Sequence, residues 1–251
     1  MGARDSRILE ILNERNRVEV SELASTLGVS EVTMRKDLTG LEERGIIQRE
    51  HGYALLASRD DINGRLAYHY DEKLRIAQAA LGLVSDGDTV MIENGSCCAL
   101  LAQAIVAARH DVQIITNSAF IAGYVRSAPT ARVTLLGGDY QNDSQVTVGP
   151  ILRRCAEEFC VDRLFIGVDG WSARLGFTND DLLRAEAIRD MAVCAEGVVV
   201  LTESEKFKRH GVVPLRIDER IAQVITDEAI SYEARDQLER TGAGVTCVRH
   251  Q

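Results

Sequence analysis

Five short stretches of this 251-residue chain carry side chains suited to holding an anion or a polar small molecule, and each follows an apolar run. They are Glu93-Asn94-Gly95-Ser96-Cys97-Cys98, Thr116-Asn117-Ser118, Gly137-Gly138-Asp139, Gly167-Val168-Asp169-Gly170-Trp171 with Gly176–Asp180 and Glu186 behind it, and Thr202-Glu203-Ser204-Glu205-Lys206-Phe207. The first opens directly into a helical pattern. Free backbone N–H groups and the helix dipole make such a turn a phosphate cradle, to which Ser96 adds a hydroxyl donor. Asp169, Glu186 and Lys206 add groups capable of acid and base chemistry. A second cluster lies near the N-terminus: Ser30, Glu31, Thr33, Arg35 and Lys36, followed by Arg49 and His51. These are hydrogen-bonding and cationic groups of the kind that contact base edges and phosphates.

The elements that must position the first group alternate. Strands are expected at Thr89–Glu93, Val112–Thr116, Arg132–Leu136, Arg163–Val168, Val198–Leu201, Gln223–Thr226 and Val245–Val248. Helices are expected at about Asp71–Val84, Cys98–Ala108, Ala119–Arg126, Val146–Phe159, Asp180–Ala195 and Tyr232–Thr241. Most of the strands are continuous apolar runs, as in a parallel sheet covered on both faces. Ligands of such sheets sit beyond the carboxyl ends of the strands, where the five polar loops fall. Any one of these loops is an ordinary strand-to-helix turn; five on one edge favour a site.

The second group belongs to a helix from Ser30, with Met34, Leu38 and Leu41 on one stripe and Val32, Lys36, Thr39 and Glu43 facing away. Ser30 is a good N-cap, and Gly45 suits a left-handed end. Before it, Val20, Leu23 and Leu27 mark a shorter amphipathic helix stopped at Gly28, and Ile8, Leu9, Ile11 and Leu12 belong to a first helix that closes the core. After it, residues 46–56 read as two strands turning near His51-Gly52. Together these make a helix-turn-helix with a wing. Alone, the same helix is an amphipathic surface helix; its neighbours tip the reading towards DNA.

At these residues the chain resembles the DeoR family of bacterial sugar-metabolism regulators. The resemblance runs through residues 29–38, Leu41-Glu42 and Arg49-Glu50-His51-Gly52, and continues in Glu72-Lys73, Ile76-Ala77, Gly87-Asp88-Thr89, Thr116-Asn117-Ser118, Leu136-Gly137-Gly138, Gly167–Gly170 and Ser204–Phe207. It departs at Tyr53, where the family usually has a second glycine, and at Glu93–Cys98, where the family often has an Asp-x-Gly-Thr-Thr sequence. The resemblance implies an α/β chain: a winged helix-turn-helix domain (1–57), a linker (58–70) and a doubly wound, mostly parallel effector-binding domain (71–251) similar in fold to ribose-phosphate isomerase. It also implies a repressor that binds double-stranded operator DNA as a homodimer or higher homo-oligomer and answers to a phosphorylated sugar. Asn94, Gly95, Ser96, Cys97 and Cys98 would hold the phosphate, with Asn117 and Gly138 on neighbouring loops, and Asp169, Glu186 and Lys206 would face the sugar.

Composition bounds these expectations. The formal charge is −9, and residues 1–57 hold eight Arg/Lys against ten Asp/Glu. Non-specific DNA binding is therefore expected to be modest, with affinity resting on dimerisation and sequence readout. No apolar run approaches a membrane span, the N-terminus lacks a signal-peptide core, and the six cysteines show no metal-type or disulfide-scaffold spacing, so no cofactor, metal or membrane is expected and the cytoplasm is. Two other readings stay open: an isomerase-like enzyme using Asp169, Glu186 and Lys206, and a redox sensor built on Cys97 and Cys98 at a helix N-terminus.

Overall fold

The computed structural model describes residues 3–15, 17–43, 47–56, 62–129 and 132–249. The chain divides into two compact units, Met1–Tyr70 and Asp71–Gln251.

The first unit runs α1 (Ala3–Arg15), β1 (Arg17–Glu19), α2 (Val20–Thr26), α3 (Glu31–Glu43), β2 (Ile47–Glu50), β3 (Tyr53–Leu56) and α4 (Ile62–Ala67). The expected stripe of Met34, Leu38 and Leu41 is fully buried against Ile8, Leu9 and Leu12 of α1 and Leu23 of α2. Gly28, at φ +65°, ends α2 in the left-handed region and lets the chain turn within four residues into α3. Ser30 then caps α3, its hydroxyl accepting from the Thr33 N–H at 3.2 Å. His51 and Gly52 both have positive φ, the backbone of a tight hairpin turn between β2 and β3. One strand was not expected: β1 pairs with β3, so the wing belongs to a three-stranded sheet. Part of the stretch expected as linker is α4 instead, because Ile62 and Leu66 bury their side chains and the helix packs on α1. Arg44, Gly45 and residues 57–61 lie outside the described residues.

The second unit is built on seven strands, β4 (Thr89–Ile92), β5 (Gln113–Thr116), β6 (Arg132–Leu135), β9 (Val161–Ile166), β12 (Ala195–Leu201), β14 (Ile221–Asp227) and β15 (Gly244–Val248). All pairings in this sheet are parallel, in the order β15-β14-β12-β9-β4-β5-β6. The helices are α5 (Tyr70–Leu81), α6 (Ser96–Ala108), α7 (Ala119–Val125), α8 (Pro150–Ala156), α9 (Leu182–Val193) and α10 (Tyr232–Arg240). The chain winds from β4 outwards to β6, then returns to the other side of β4 and winds out again from β9. The winding direction thus reverses between β4 and β9, the kind of switch point at whose carboxyl ends open α/β sheets bind their ligands.

Two small additions lie outside the expected pattern. Residues 146–148, expected within a helix, form β8 (Val146–Val148), paired antiparallel with β7 (Asp139–Gln141). Two β-branched valines favour a strand there, Gly149 at φ +87° breaks the chain, and Pro150 at the first helical turn starts α8. The second addition is a sheet of β10 (Gly170–Ser172), β11 (Gly176–Asn179) and β13 (Val213–Pro214). Among the described residues no helix is long and apolar enough to cross a membrane.

Gly138, at φ +151°, lies against β8 so closely that a Cβ would stand 2.6 Å from the Val148 carbonyl oxygen. Gly138→Ala is expected to cost about 2 kcal/mol or more, because steric overlap adds to the backbone strain. Chemical denaturation of the full chain, read by circular dichroism, checks this.

Candidate functional site

The carboxyl ends of β4 and β9 meet through backbone. A Cβ on Gly95 would lie 3.3 Å from Gly167 Cα, and one on Gly167 would lie 3.0 Å from the Asn94 carbonyl oxygen. Gly95, at φ +147°, is the N-cap of α6 and supplies no side chain to cap it. The first-turn N–H groups of α6 therefore open at the switch point without a side-chain acceptor from Gly95. Glu93 to Cys98 are all buried.

Asn94 ties the edge together. Its amide donates to the Ser144 carbonyl at 3.2 Å, and its carbonyl oxygen accepts from the Ser118 hydroxyl at 3.1 Å. Asn117 donates to the Thr147 carbonyl at 3.2 Å, while its own Oδ1 is buried without a hydrogen-bond partner. From Asn94 the network continues through Ser144 to Gln141 (3.0 Å), from Gln141 to Asp181 (3.2 Å), and from Asp181 to the Arg184 N–H (2.8 Å). Asp169, after β9, accepts from the Asp180 N–H at 3.1 Å. The structure thus brings Asn94, Gly95, Ser96, Cys97, Cys98, Asn117, Gly138 and Asp169 to one edge.

Glu186 is not among them. It lies exposed on the outer side of α9, close enough to Asp190 to raise that group's pKa, though burial raises it more. The residue of α9 that turns inward is Arg184, buried beside Asp169. Lys206, in a short 3-10 turn over Ser204–Lys208, is half-buried. Its ammonium acts on Glu203, a member of the fifth polar loop for which no role was expected and whose principal partner is Lys73 of α5 at 3.1 Å. Burial alone would push the Glu203 carboxyl upward; the Lys73 and Lys206 ammonium groups outweigh it and hold the pKa below its ordinary value of 4.5. The signal for this pair in the sequence is thin, since its members stand far apart in the chain.

Cys97 and Cys98 form no disulfide and are 3% and 0% exposed. Reactive cysteines need solvent access as well as an electropositive setting, so this burial weighs against the redox reading. Among the described residues no cluster of His, Cys, Asp and Glu is arranged to hold a metal ion.

In the first unit, α3 exposes Ser30, Glu31, Arg35 and Lys36, with Thr33 half-buried. Val32, absent from the expected set, is 79% exposed among them and is the type of side chain that meets a thymine methyl. Arg35 pairs with Glu31 one turn earlier at 3.0 Å. Arg49, expected simply as a phosphate contact, is held by Glu42: its Nε donates at 2.7 Å and its backbone N–H at 3.2 Å. The side-chain bond is the chief reason the Glu42 carboxyl lies below its ordinary pKa. His51 is exposed at the wing turn.

A winged helix-turn-helix joined to an α/β unit with a switch point in its sheet defines a class, the transcriptional regulators that link a DNA-reading domain to a sensor. Comparison with known families gives the particular case. The DeoR-like helix-turn-helix domain matches residues 4–60, and the DeoR C terminal sensor domain matches residues 68–228. The chain belongs to the DeoR family of DNA-binding transcriptional regulators. The HTH-type transcriptional regulator UlaR of Shigella dysenteriae serotype 1 (strain Sd197) is 32% identical over 95% of this chain and 95% of its own length. The HTH-type transcriptional repressor CsqR of Escherichia coli (strain K12) is 27% identical over 94% and 91%. Among solved structures, ribose 5-phosphate isomerase A of Methanocaldococcus jannaschii is 21% identical over 55% of each chain, with a TM-score of 0.41.

Removing Lys73 leaves Glu203 buried beside only the more distant charge of Lys206. Lys73→Met is expected to lower stability by about 3 to 5 kcal/mol at neutral pH. A carboxylate with a depressed folded pKa stabilises above its unfolded value and loses that contribution as pH falls. The parent therefore weakens below about pH 4.5 through this pair, whereas the variant gains from protonating Glu203. Thermal melts across the acid range should show the gap widest at neutral pH and narrowing as pH falls towards 4.5, through the variant, and further below it, through the parent.

Proposed function

We propose that this regulator is a repressor of a carbohydrate-metabolism operon, released or retuned by a phosphorylated sugar bound at the β4/β9 switch point. The observation that carries the effector reading is the α6 N-terminus, which starts at the switch point from Gly95, an N-cap residue that gives it no side-chain hydrogen bond. An anion held by the first-turn N–H groups and the helix dipole completes that end. Polar groups of the adjoining loops, Asn117 Oδ1 and Asp169 among them, suit sugar hydroxyls.

The operator is double-stranded DNA, read by α3 with Arg35, Lys36, Ser30, Glu31, Thr33 and Val32 at the major groove and with Arg49 and His51 of the wing at the backbone. Two half-sites are read by a homodimer or higher homo-oligomer. Effector binding changes DNA affinity only to the extent that it favours one arrangement of the heads over another. The reading is of a binding protein and not an isomerase. Glu186 lies on the outer side of α9, and Asp169 is engaged by a backbone N–H, which leaves the switch point suited to recognition more than to proton transfer. Chromosomal DNA as the target places its action in the cytoplasm.

Arg35→Ala is expected to weaken operator binding at least tenfold, the loss of one good base contact, without altering the circular dichroism spectrum. Gel-shift titration on the promoter region of the neighbouring genes checks it, and unchanged affinity would remove α3 as the reading helix. A thermal-shift panel of aldose and ketose phosphates should raise the melting temperature of the parent but not of Gly95→Val, whose side chain would crowd the loop carrying Gly167. No shift with any sugar phosphate would sink the effector assignment.

A further inference from the structure

Arg184 is chemically out of place. It is the third residue of α9, after the N-cap Asp181, where the helix dipole and unpaired N–H groups favour an anion over a cation. Its side chain is only 7% exposed, and a guanidinium taken out of water is normally held by a close carboxylate and a full set of acceptors. Here the support is incomplete. The Asp169 Oδ2 lies 3.9 Å from Nη2, beyond hydrogen-bonding reach, and already accepts from the Asp180 N–H. The Arg184 Nε is buried with no hydrogen-bond partner.

The location gives this a direction. Asp169 belongs to the loop after β9 and the α6 N-terminus to the loop after β4, and these two loops adjoin at the switch point through Gly95 and Gly167. The hydrogen-bond chain through Asp181, Gln141 and Ser144 connects the Arg184 backbone to Asn94 in that second loop. A buried, under-satisfied guanidinium thus stands on the β9 side of a switch point whose β4 side is built to take a phosphate.

We infer that Arg184 receives a second anionic group of the effector, so that the ligand is a sugar phosphate also carrying a carboxylate or a second phosphate. This rests on the sugar-phosphate reading above. Guanidinium presents parallel N–H donors that match carboxylate and phosphate oxygens, and a buried cation is compensated by an anion far better than by a hydroxyl. An aldose phosphate, with its single anionic group, fills the α6 end but leaves Arg184 as poorly paired as without ligand.

The test is calorimetric titration of the full-length protein with glucose 6-phosphate, 6-phosphogluconate and fructose 1,6-bisphosphate, and with their five-carbon counterparts, in the parent and in Arg184→Gln. The parent is expected to bind a ligand with two anionic groups at least tenfold tighter than the matching aldose phosphate, and Arg184→Gln should erase that preference. Preference for 6-phosphogluconate over the bisphosphate identifies the second group as a carboxylate; the reverse identifies a phosphate. Without ligand, Arg184→Gln should melt at or above the parental temperature, since it removes an incompletely paired buried charge. A melting temperature several degrees lower, with the preference intact, would assign Arg184 to the scaffold and overturn the inference. Equal affinity of the parent for aldose phosphates and for ligands with two anionic groups would overturn it while leaving the sugar-phosphate reading standing. Binding of none of these phosphates would overturn both.

Discussion

Bare backbone contact at the switch point is the constraint on which the rest of the second unit depends. Gly95 and Gly167 let the loops after β4 and β9 touch, and any side chain at either position would separate them. That contact fixes where α6 begins. It also sets the level at which Asn94, with both ends of its amide engaged, can reach the loops after β5 and β7. The positive φ of Gly95 turns the chain from strand to helix in one step, so the helix end is delivered to the switch point with nothing of its own in the way.

Around that contact the charges are arranged unevenly. The Lys73–Glu203 pair is buried and close, and a third charge, Lys206, reinforces the carboxylate. The Arg184–Asp169 pair is equally buried but loose. Two ion pairs in one unit, one tight and one open, separate a group that holds the loops from a group that waits for a partner. The tight pair joins α5 to the edge of the sheet and has no evident need of a ligand. Sites commonly combine such firm supports with one unsatisfied group.

Much of this architecture was legible from residue order. The seven sheet strands were visible because most are apolar runs bounded by glycine or polar residues, the trace left by parallel strands covered on both faces. The stripe of Met34, Leu38 and Leu41 gave the head for the same reason of periodicity. The β7–β8 hairpin was hidden because its three residues, Val146-Thr147-Val148, run straight into a helix, and only Gly149-Pro150 marks the break. The exchange of Glu186 for Arg184 has a geometric cause. Two positions along a helix are separated by about 200° of rotation, so burying one member of the pair exposes the other. Locating Glu186 by likeness chose the wrong side of α9. Lys73 and Glu203 meet across the fold, and nothing local in either segment announces the pairing.

The ion pairs of the winged helix also change what DNA binding means for this protein. Arg35 rests on Glu31, and Arg49 is grasped by Glu42 through both its guanidinium and its backbone. The second grip fastens β2 to α3, so wing and reading helix travel as one piece. In the DNA complex proposed above, a phosphate that takes the Arg49 guanidinium competes with Glu42, whereas Arg35 gives Glu31 one of its five N–H donors and keeps others for the duplex. Random sequence offers only its phosphates in return for that displacement, whereas a cognate site adds base contacts. In that proposed complex the acidic side chains of the head act as competitors that the phosphates of random DNA must outbid without the help of base contacts.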